Sequence, residues 1–145
     1  MIRIERFLFI SMLVLFICPI TTLGAGKANR QSKSVDWNPI MEAIIQVESG
    51  GDANARSGKS VGVMQITPVL VEDCNLILER KKSKKRYSLS DRFSVQKSKE
   101  MFLLIQSWYN PSNNVEKAIR LWNGGVNYSV KKTQRYFEKV MKAMK

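Results

Sequence analysis

The sequence contains no histidine among its 145 residues. This absence excludes the catalytic sites that are built on imidazole, namely Ser-His-Asp and Cys-His nucleophilic sites and HExxH zinc sites. Acid–base chemistry near neutral pH must therefore come from a carboxyl, amine, phenol or thiol group whose pKa the fold has shifted.

Cysteine and acidic residues are also scarce. The chain has two cysteines, Cys18 and Cys74, and 12 Asp and Glu side chains against 24 Lys and Arg. We interpret Cys74, which has no histidine partner, as a small buried hydrophobic residue rather than a nucleophile. The formal net charge of +12 favours anionic partners such as nucleic acid, membrane surfaces or cell-wall glycans, without choosing among them. A content of 44% hydrophobic and 25% charged residues is typical of one globular domain.

The chain also lacks an apolar run of the length that usually spans a bilayer, which is about 20 residues. Its longest run, residues 7–17, follows two arginines and precedes Pro19 and several small residues. This layout is typical of a secretory signal peptide, and we predict a signal peptide over residues 1–24 and a flexible lead-in over residues 25–36. An uncleaved N-terminal anchor and a lipid attached to Cys18 are the alternatives.

The remaining residues, 37–145, are predicted to form one domain that is mainly α-helical. Apolar residues recur there at helical spacing. The predicted helices are residues 37–49, 67–81, 94–109, 115–123 and 129–144. Strand patterns are few, and we interpret residues 60–67 as an extended or looped segment. The fold class that follows is mainly α.

Caps and core faces can be predicted for these helices. Asp36 is the predicted N-cap of the first helix and Asn114 that of the fourth, because both side chains can accept a backbone N–H. Leu76 is one of the apolar residues of the second helix, Val95 is a predicted core residue of the third, and Val130 lies on the apolar face of the fifth.

Glu48 is the most informative residue, because it continues the apolar stripe of Trp37, Met41 and Ile44 on the first helix. A carboxyl group on that face loses contact with water, and the last turn of a helix disfavours negative charge; both effects raise its pKa. A carboxylic acid that stays protonated near neutral pH can donate its proton to a leaving oxygen, as the acid of a glycosidase does. The alternative is that Glu48 turns outward to water beside Gly50.

Four short motifs occur in a defined order. They are ES at residues 48–49, GVMQI at 62–66, AIRLWNGG at 118–125 and TQRYFEKV at 133–140. This ordered set resembles the soluble lytic transglycosylase (SLT-type) domains, which are relatives of goose-type lysozyme. The resemblance implies a lysozyme-like domain and a peptidoglycan lytic transglycosylase. Such an enzyme cleaves the β-1,4 bond between N-acetylmuramic acid and N-acetylglucosamine and leaves a 1,6-anhydromuramyl end.

The resemblance also implies a role for each matching residue. Glu48 is the implied catalytic acid and base, and Tyr136 lies against it and assists with its charge. The implied glycan-binding residues are Ser49, Gly62, Met64, Gln65, Trp122 and Asn123. Trp122 stands where the family usually has tyrosine, so a hydroxyl is missing there, and its ring is predicted equally well in the cleft or the core. No cofactor and no metal are implied.

Two other functions stay open at this point, a hydrolytic muramidase of the same fold and a non-catalytic factor that binds the wall or assists assembly. Ordinary glycosidases use two carboxylates. Glu72 and Asp73 are the candidates for the second one, although their positions are typical of surface residues. The basic run at residues 80–86 is interpreted as a solvated loop, with attraction to wall polymers as the alternative.

The expected partners and location follow from the resemblance and the predicted signal peptide. The partner is the glycan strand of peptidoglycan, and a component of a secretion, conjugation or phage machine is a further expected partner. We expect no specific nucleic acid, because the basic run lacks interleaved aromatics. We also expect no stable membrane span after signal cleavage, and an exported protein in the periplasm or cell envelope.

Overall fold

The computed structural model describes residues 35–145, so the predicted signal peptide and most of the predicted lead-in lie outside the described residues. Its elements are α1 (Asn38–Ser49), β1 (Arg56–Ser57), β2 (Ser60–Val61), α2 (Pro68–Arg80), a 3-10 helix (Leu89–Phe93), α3 (Val95–Tyr109), α4 (Val115–Gly124) and α5 (Val130–Ala143). This composition confirms the mainly α-helical fold class. None of the described helices combines the length and apolar character that crossing a bilayer requires.

The helix caps follow local side-chain chemistry. The side chain of Asn114 accepts a hydrogen bond from the backbone N–H of Lys117 at 2.8 Å, so its predicted role as N-cap of α4 is confirmed. The prediction for Asp36 is wrong by one position, because Trp37 is the N-cap residue of α1. The Asp36 carboxylate instead accepts a hydrogen bond from the backbone N–H of Asn38 at 3.0 Å.

The helices share one apolar core, in which Phe102 of α3 and Ile44 of α1 are fully buried. Trp37 and Trp122 both pack against Phe102, with ring centroids 5.8 and 5.2 Å away. Large aromatic rings of this kind contribute much of the apolar area that stabilises a small domain. Cys74 lies free in the same core, and burial raises the pKa of its thiol to about 12. The interpretation of Cys74 as a buried residue is thereby confirmed.

Three apolar residues of the predicted helix patterns are exposed, among them Val95, which was predicted in the core. Leu76, Val95 and Val130 retain 51%, 42% and 57% of their accessible surface. Val95 and Val130 are the first residues of α3 and α5, where each helix extends past the edge of the core. Leu76 lies beside a cleft. Helical spacing identifies a face, but it does not determine how far along that face the core reaches.

A short antiparallel hairpin follows α1. Its strands pair Arg56 with Val61, and an isolated bridge then joins Val61 to Ile66 across a tight turn. The interpretation of residues 60–67 as an extended or looped segment is confirmed. The hairpin and turn connect the end of α1 to the beginning of α2.

Gly62 opens this turn and is packed too closely for any side chain. Its φ is +78°, a left-handed value that favours glycine, and an added Cβ would lie 1.9 Å from the backbone oxygen of Arg92. Arg92 in turn donates hydrogen bonds to the backbone carbonyls of Lys59 at 3.2 Å and Ile66 at 3.3 Å. The 3-10 helix is thereby joined to the hairpin and the turn.

Arg120 joins α4 to α5 and is only 3% exposed. Its guanidinium donates hydrogen bonds to the Glu116 carboxylate at 2.8 Å, to the Val130 carbonyl at 3.0 Å and to the Gln134 side-chain oxygen at 2.7 Å. The Phe137 ring lies over the same group, 4.5 Å from its carbon to the ring centroid. A buried charge is tolerated when its donors are satisfied in this way. These contacts fix the rotation of α5 about its own axis.

We expect Gly62→Ala to lower the free energy of unfolding by about 2 to 5 kcal/mol. The new side chain would be strained at a left-handed φ and would also clash with the backbone of Arg92. The matched control is Gly58→Ala, since Gly58 has φ +58° and open space around its Cβ position. It should lose only about 1 to 2 kcal/mol, the left-handed strain alone. Urea unfolding followed by circular dichroism measures both variants, and equal losses would contradict the packing role of Gly62.

Candidate active site

Glu48 and Tyr136 meet where α1 packs against α5. The Tyr136 hydroxyl donates a hydrogen bond of 2.7 Å to Oε1 of Glu48, across 88 residues of sequence. Glu48 occupies the last turn of α1, and the helix ends immediately afterwards at Gly50, whose φ is +63°. Glu48 therefore points towards α5 and does not turn outward past Gly50.

The surroundings of this pair shift both acidities. Burial raises the pKa of the Glu48 carboxyl, and the hydrogen bond from Tyr136 partly opposes this by favouring the charged form. Burial also raises the pKa of Tyr136, and the adjacent Glu48 carboxylate raises it further. Tyr136 consequently keeps its proton and acts as a donor, while Glu48 holds its own proton to a higher pH than an exposed glutamate does.

A cleft of about 670 Å³ opens beside Glu48. Gln65, Trp122 and Asn123 line it together with Glu48, so the structure brings these predicted site residues to one place. The volume lies within the range of small-molecule binding sites, about 300 to 1,000 Å³. Tyr136 does not line this cleft and contacts Glu48 from the α5 side.

Trp122 contributes to both the cleft and the core. Its indole N–H donates a hydrogen bond of 3.3 Å to the backbone carbonyl of Met64, and its ring packs on Phe102. The remaining surface of the half-buried ring lines the cleft. The two placements that were predicted for Trp122 are therefore combined in one residue.

Gln65 sits in the turn with a left-handed φ of +50°, which is uncommon for a residue other than glycine. Its side-chain nitrogen donates a hydrogen bond of 2.9 Å to the carbonyl of Gly62. The amide is thus held in one orientation, and its oxygen is the atom that it offers to the cleft.

Three residues with a predicted glycan contact, Ser49, Gly62 and Met64, are not among the residues that line the cleft. The Ser49 hydroxyl donates to the Val63 carbonyl at 2.9 Å and accepts from the Gly51 N–H at 3.1 Å. The Met64 side chain is fully buried, and Gly62 packs against the 3-10 helix. These residues shape the turn that supports the site.

Much of the cleft wall was missed by sequence reasoning. The missed residues come from the hairpin and from three helices and their flanks. They include Ser57, Ser60, Thr67, Val69, Leu76, Tyr109 and Val126. Val69, Leu76 and Val126 are large apolar residues with 70%, 51% and 55% exposure, and all three line this one cleft. Their exposure cannot be read from spacing, so the sequence carries no clear signal for them.

Two acidic residues on α2 also line the cleft, although their sequence positions are typical of a surface. Glu72 is exposed, and Asp73 accepts a hydrogen bond of 2.9 Å from the Tyr109 hydroxyl. Burial and this carboxylate both raise the pKa of Tyr109, which therefore remains a donor. Among residues 35–145, no group of three or more acidic, cysteine or histidine side chains is arranged to hold a metal ion.

The basic run at residues 80–86 lies outside the cleft. Lys85 pairs with Glu100, and the Arg86 guanidinium donates hydrogen bonds of 2.7 Å to the carbonyls of Ser83 and Lys85. Most residues of the run are exposed. These features agree with the interpretation of the run as a solvated loop.

We expect Tyr136→Phe to raise the pKa of Glu48 further, because it removes the hydrogen bond that favours the carboxylate. Carbon-13 NMR titration of the Glu48 carboxyl measures this shift. Tyr128→Phe is the matched control, since Tyr128 is also half-buried but makes no hydrogen bond to Glu48. An unchanged or lower pKa in Tyr136→Phe would show that the phenol does not stabilise the charged carboxylate.

Glu48→Gln should make the protein more stable at neutral pH. Because the folded pKa of Glu48 exceeds its ordinary value of 4.5, ionisation of this carboxyl favours the unfolded state. That destabilisation is absent below 4.5 and grows as pH rises, until the folded carboxyl has also ionised. Urea unfolding should therefore give Glu48→Gln a higher free energy of unfolding at about pH 7 and equal values at about pH 3. A difference that is constant across pH would disagree with a raised pKa.

The chain can be compared with curated proteins, with solved structures and with models of protein families. No curated protein and no solved structure matches the chain. The family model described as the transglycosylase SLT domain matches residues 26–143, which include every described helix and the hairpin. The resemblance drawn from the four motifs is confirmed by this match. The chain belongs to the transglycosylase SLT domain family, the family of the peptidoglycan lytic transglycosylases.

Proposed function

We propose that this protein is a peptidoglycan lytic transglycosylase that uses Glu48 as its single acid and base. The observation that carries the proposal is the 2.7 Å hydrogen bond between Tyr136 and Glu48 at the wall of a cleft. Burial keeps the Glu48 carboxyl protonated to a higher pH, which is the state that an acid catalyst needs. Membership of the SLT family supplies the substrate class, which is peptidoglycan.

In the first step Glu48 donates its proton to the oxygen that bridges C1 of N-acetylmuramic acid and C4 of N-acetylglucosamine. The bond between C1 and this oxygen breaks, and the N-acetylglucosamine side leaves with a C4 hydroxyl. The N-acetyl group of the muramyl residue stabilises the positive charge that develops at C1. The substrate thereby takes the part that a second carboxylate has in ordinary glycosidases.

In the second step the ionised Glu48 removes the proton from the C6 hydroxyl of the same muramyl residue. The C6 oxygen forms a bond to C1 and closes the 1,6-anhydro ring, and Glu48 regains the proton that it lost. Water is neither consumed nor released. The hydrogen bond from Tyr136 stabilises the carboxylate between the two steps. Intramolecular attack is favoured by proximity when the cleft excludes water.

The cleft offers the groups that hold a sugar chain beside Glu48. Asn123 and the fixed amide of Gln65 provide hydrogen bonds to hydroxyl and N-acetyl groups. Trp122 provides an aromatic surface, and the exposed apolar side chains of Val69 and Leu76 cover the apolar faces of sugar rings. We assign these residues to glycan binding in place of Ser49 and Met64 among the residues predicted from sequence.

A second candidate function is hydrolysis of the same bond with water. It is favoured by Glu72 and Asp73, because both line the cleft that Glu48 lines and either could activate a water molecule. The two functions differ in their products, since hydrolysis leaves a reducing muramyl end and transglycosylation leaves an anhydro end. Asp73 already accepts a hydrogen bond from Tyr109, which favours a role for it in positioning substrate.

The biological setting belongs to the same proposal. The signal peptide predicted over residues 1–24 supports export to the periplasm or cell envelope, where the substrate lies. We propose that a secretion, conjugation or phage machine directs the protein to the site where the wall is opened.

We expect Glu48→Gln to reduce the rate of glycan cleavage by about 10² to 10⁴, the usual contribution of a general acid and base. The assay digests purified peptidoglycan with the full chain and identifies the released fragments by mass spectrometry. Glu42→Gln is the matched control, because Glu42 is an exposed residue of the same helix whose ion pair with Lys99 lies at the surface.

The outcomes of this assay separate the candidates. Anhydromuramyl fragments from the parent and Glu42→Gln, but not from Glu48→Gln, are the result that the proposal requires. Reducing ends from the parent would replace the transglycosylase with a hydrolase. If the folded parent releases nothing, the enzymatic proposal fails, and a non-catalytic factor that binds the wall becomes the account of this chain.

A further inference from the structure

A second pocket, of about 440 Å³, lies on the other side of Glu48 from the catalytic cleft. Its lining residues come from the end of α1, from α4 and from α5. They are Val47, Glu48, Asn123, Lys132, Arg135, Tyr136 and Lys139. Glu48 and Asn123 line both cavities, so a substrate that reacts at Glu48 has part of its structure next to this pocket. We call it the basic pocket.

The basic pocket owes its charge to one face of α5. Lys132, Arg135 and Lys139 follow one another at spacings of three and four, the same face that carries Tyr136. All three are exposed, and none takes part in an ion pair within residues 35–145. Glu48 is the only acidic residue in the lining. The pocket therefore presents three positive charges that no ion pair compensates.

The chemistry of the pocket selects a carboxylate. An arginine guanidinium matches a carboxylate with two parallel hydrogen bonds, and lysine ammonium groups add charge around it. Of the two sugars that flank the scissile bond, N-acetylglucosamine carries no acid. N-Acetylmuramic acid carries a lactyl group, whose carboxylate is either free or joined to a peptide with carboxylates of its own. A cavity of 440 Å³ has room for more than a single carboxylate.

We propose that the basic pocket binds a carboxylate borne by the muramyl residue of the substrate, through Lys132, Arg135 and Lys139. This inference rests on the proposed function, because it assigns the substituent of the sugar that Glu48 attacks. Binding on this side fixes the direction of the glycan across the site, with the muramyl residue on the side of α5. Asn123, which lines both cavities, then contacts the substrate between the cleft and the pocket.

The first test is a binding measurement with the full chain carrying Glu48→Gln, which prevents turnover. The probe is a soluble glycan fragment with intact peptides, and isothermal titration calorimetry gives its Kd. Adding Lys132→Gln, Arg135→Gln and Lys139→Gln together should raise the Kd about tenfold or more, which is the loss of one or two charge-assisted contacts.

The matched control removes the same charge from the same end of the chain. Lys131→Gln, Lys142→Gln and Lys145→Gln change exposed lysines that do not line the basic pocket. This triple variant should change the Kd by less than about twofold, the residual effect of net charge on a screened interaction. Thermal unfolding of both triple variants establishes that each is folded.

Chemical modification of the probe tests the partner. Converting its carboxylates to amides should raise the Kd of the Glu48→Gln chain about tenfold or more, as the three substitutions in the basic pocket do. It should leave unchanged the Kd of the basic-pocket variant, which carries those three substitutions as well as Glu48→Gln. Removing the peptides with an amidase distinguishes the two sources of the carboxylate. The amidase also frees the lactyl carboxylate, which is joined to the peptide in the intact probe. A difference between the chains that is present with the intact probe therefore assigns a peptide carboxylate, and one that is present only after amidase treatment assigns the lactyl carboxylate.

Three results would overturn the inference: equal Kd values for the Glu48→Gln chain and the basic-pocket variant with both the intact and the amidase-treated probe, an equal loss in the control triple, or no effect of amidation. Cleavage by the chain with Glu48 intact is measured beside them. If the chain cleaves peptidoglycan but its binding does not depend on the carboxylates, the inference about the basic pocket fails and the proposed function stands. If binding depends on the carboxylates but no cleavage occurs, the proposed function fails and the basic pocket remains a glycan-binding pocket.

Discussion

The hydrogen bond from Tyr136 to Glu48 is the contact that the site depends on, because it joins the end of α1 to the middle of α5 at the only acid shared by both cavities within the described residues. Different structural features position Glu48 and Tyr136. Gly50 caps the end of α1 two residues after Glu48, and the buried Arg120 fixes the rotation of α5. A carboxyl group held half-buried in this way destabilises the fold when it ionises, and the phenol offsets part of that loss.

The surroundings of Glu48 are strongly asymmetric. On one side the catalytic cleft carries exposed apolar side chains and two further acids on α2; on the other, three uncompensated cations of α5 line the basic pocket. A glycan chain is itself asymmetric, since only its muramyl residues carry carboxylates. The distribution of charge around Glu48 thus gives a physical reason for the direction of binding that we propose for the glycan.

The sequence was sufficient for the fold class, the helices and the position of Glu48, because each depends on local spacing and on motifs in a fixed order. It was insufficient where residues of one motif have different structural roles. Ser49, Gly62 and Met64 belong to the same motifs as Gln65, yet they support the turn instead of lining the cleft. A motif shows which residues occur together in a family. Burial and backbone packing determine which of them can contact a ligand.

The walls of the cleft could not be predicted for a different reason. Val69, Leu76 and Asp73 lie on α2, and whether they face core, water or cleft depends on which helices pack beside it. Leu76 fits an apolar stripe and is exposed. Asp73 has a sequence position typical of a surface residue, and it accepts a hydrogen bond from Tyr109. Such placements are set by contacts between distant segments, which the spacing of one helix does not contain.

The central claim is that one half-buried carboxylic acid, Glu48, breaks the glycan bond without the help of water. Its most direct test is digestion of peptidoglycan in water enriched in oxygen-18, followed by mass spectrometry of the new muramyl ends. The account predicts 1,6-anhydro ends that contain no oxygen-18, because the C6 oxygen of the substrate closes the ring. Reducing ends that carry oxygen-18 at C1 would contradict it and would identify water as the nucleophile.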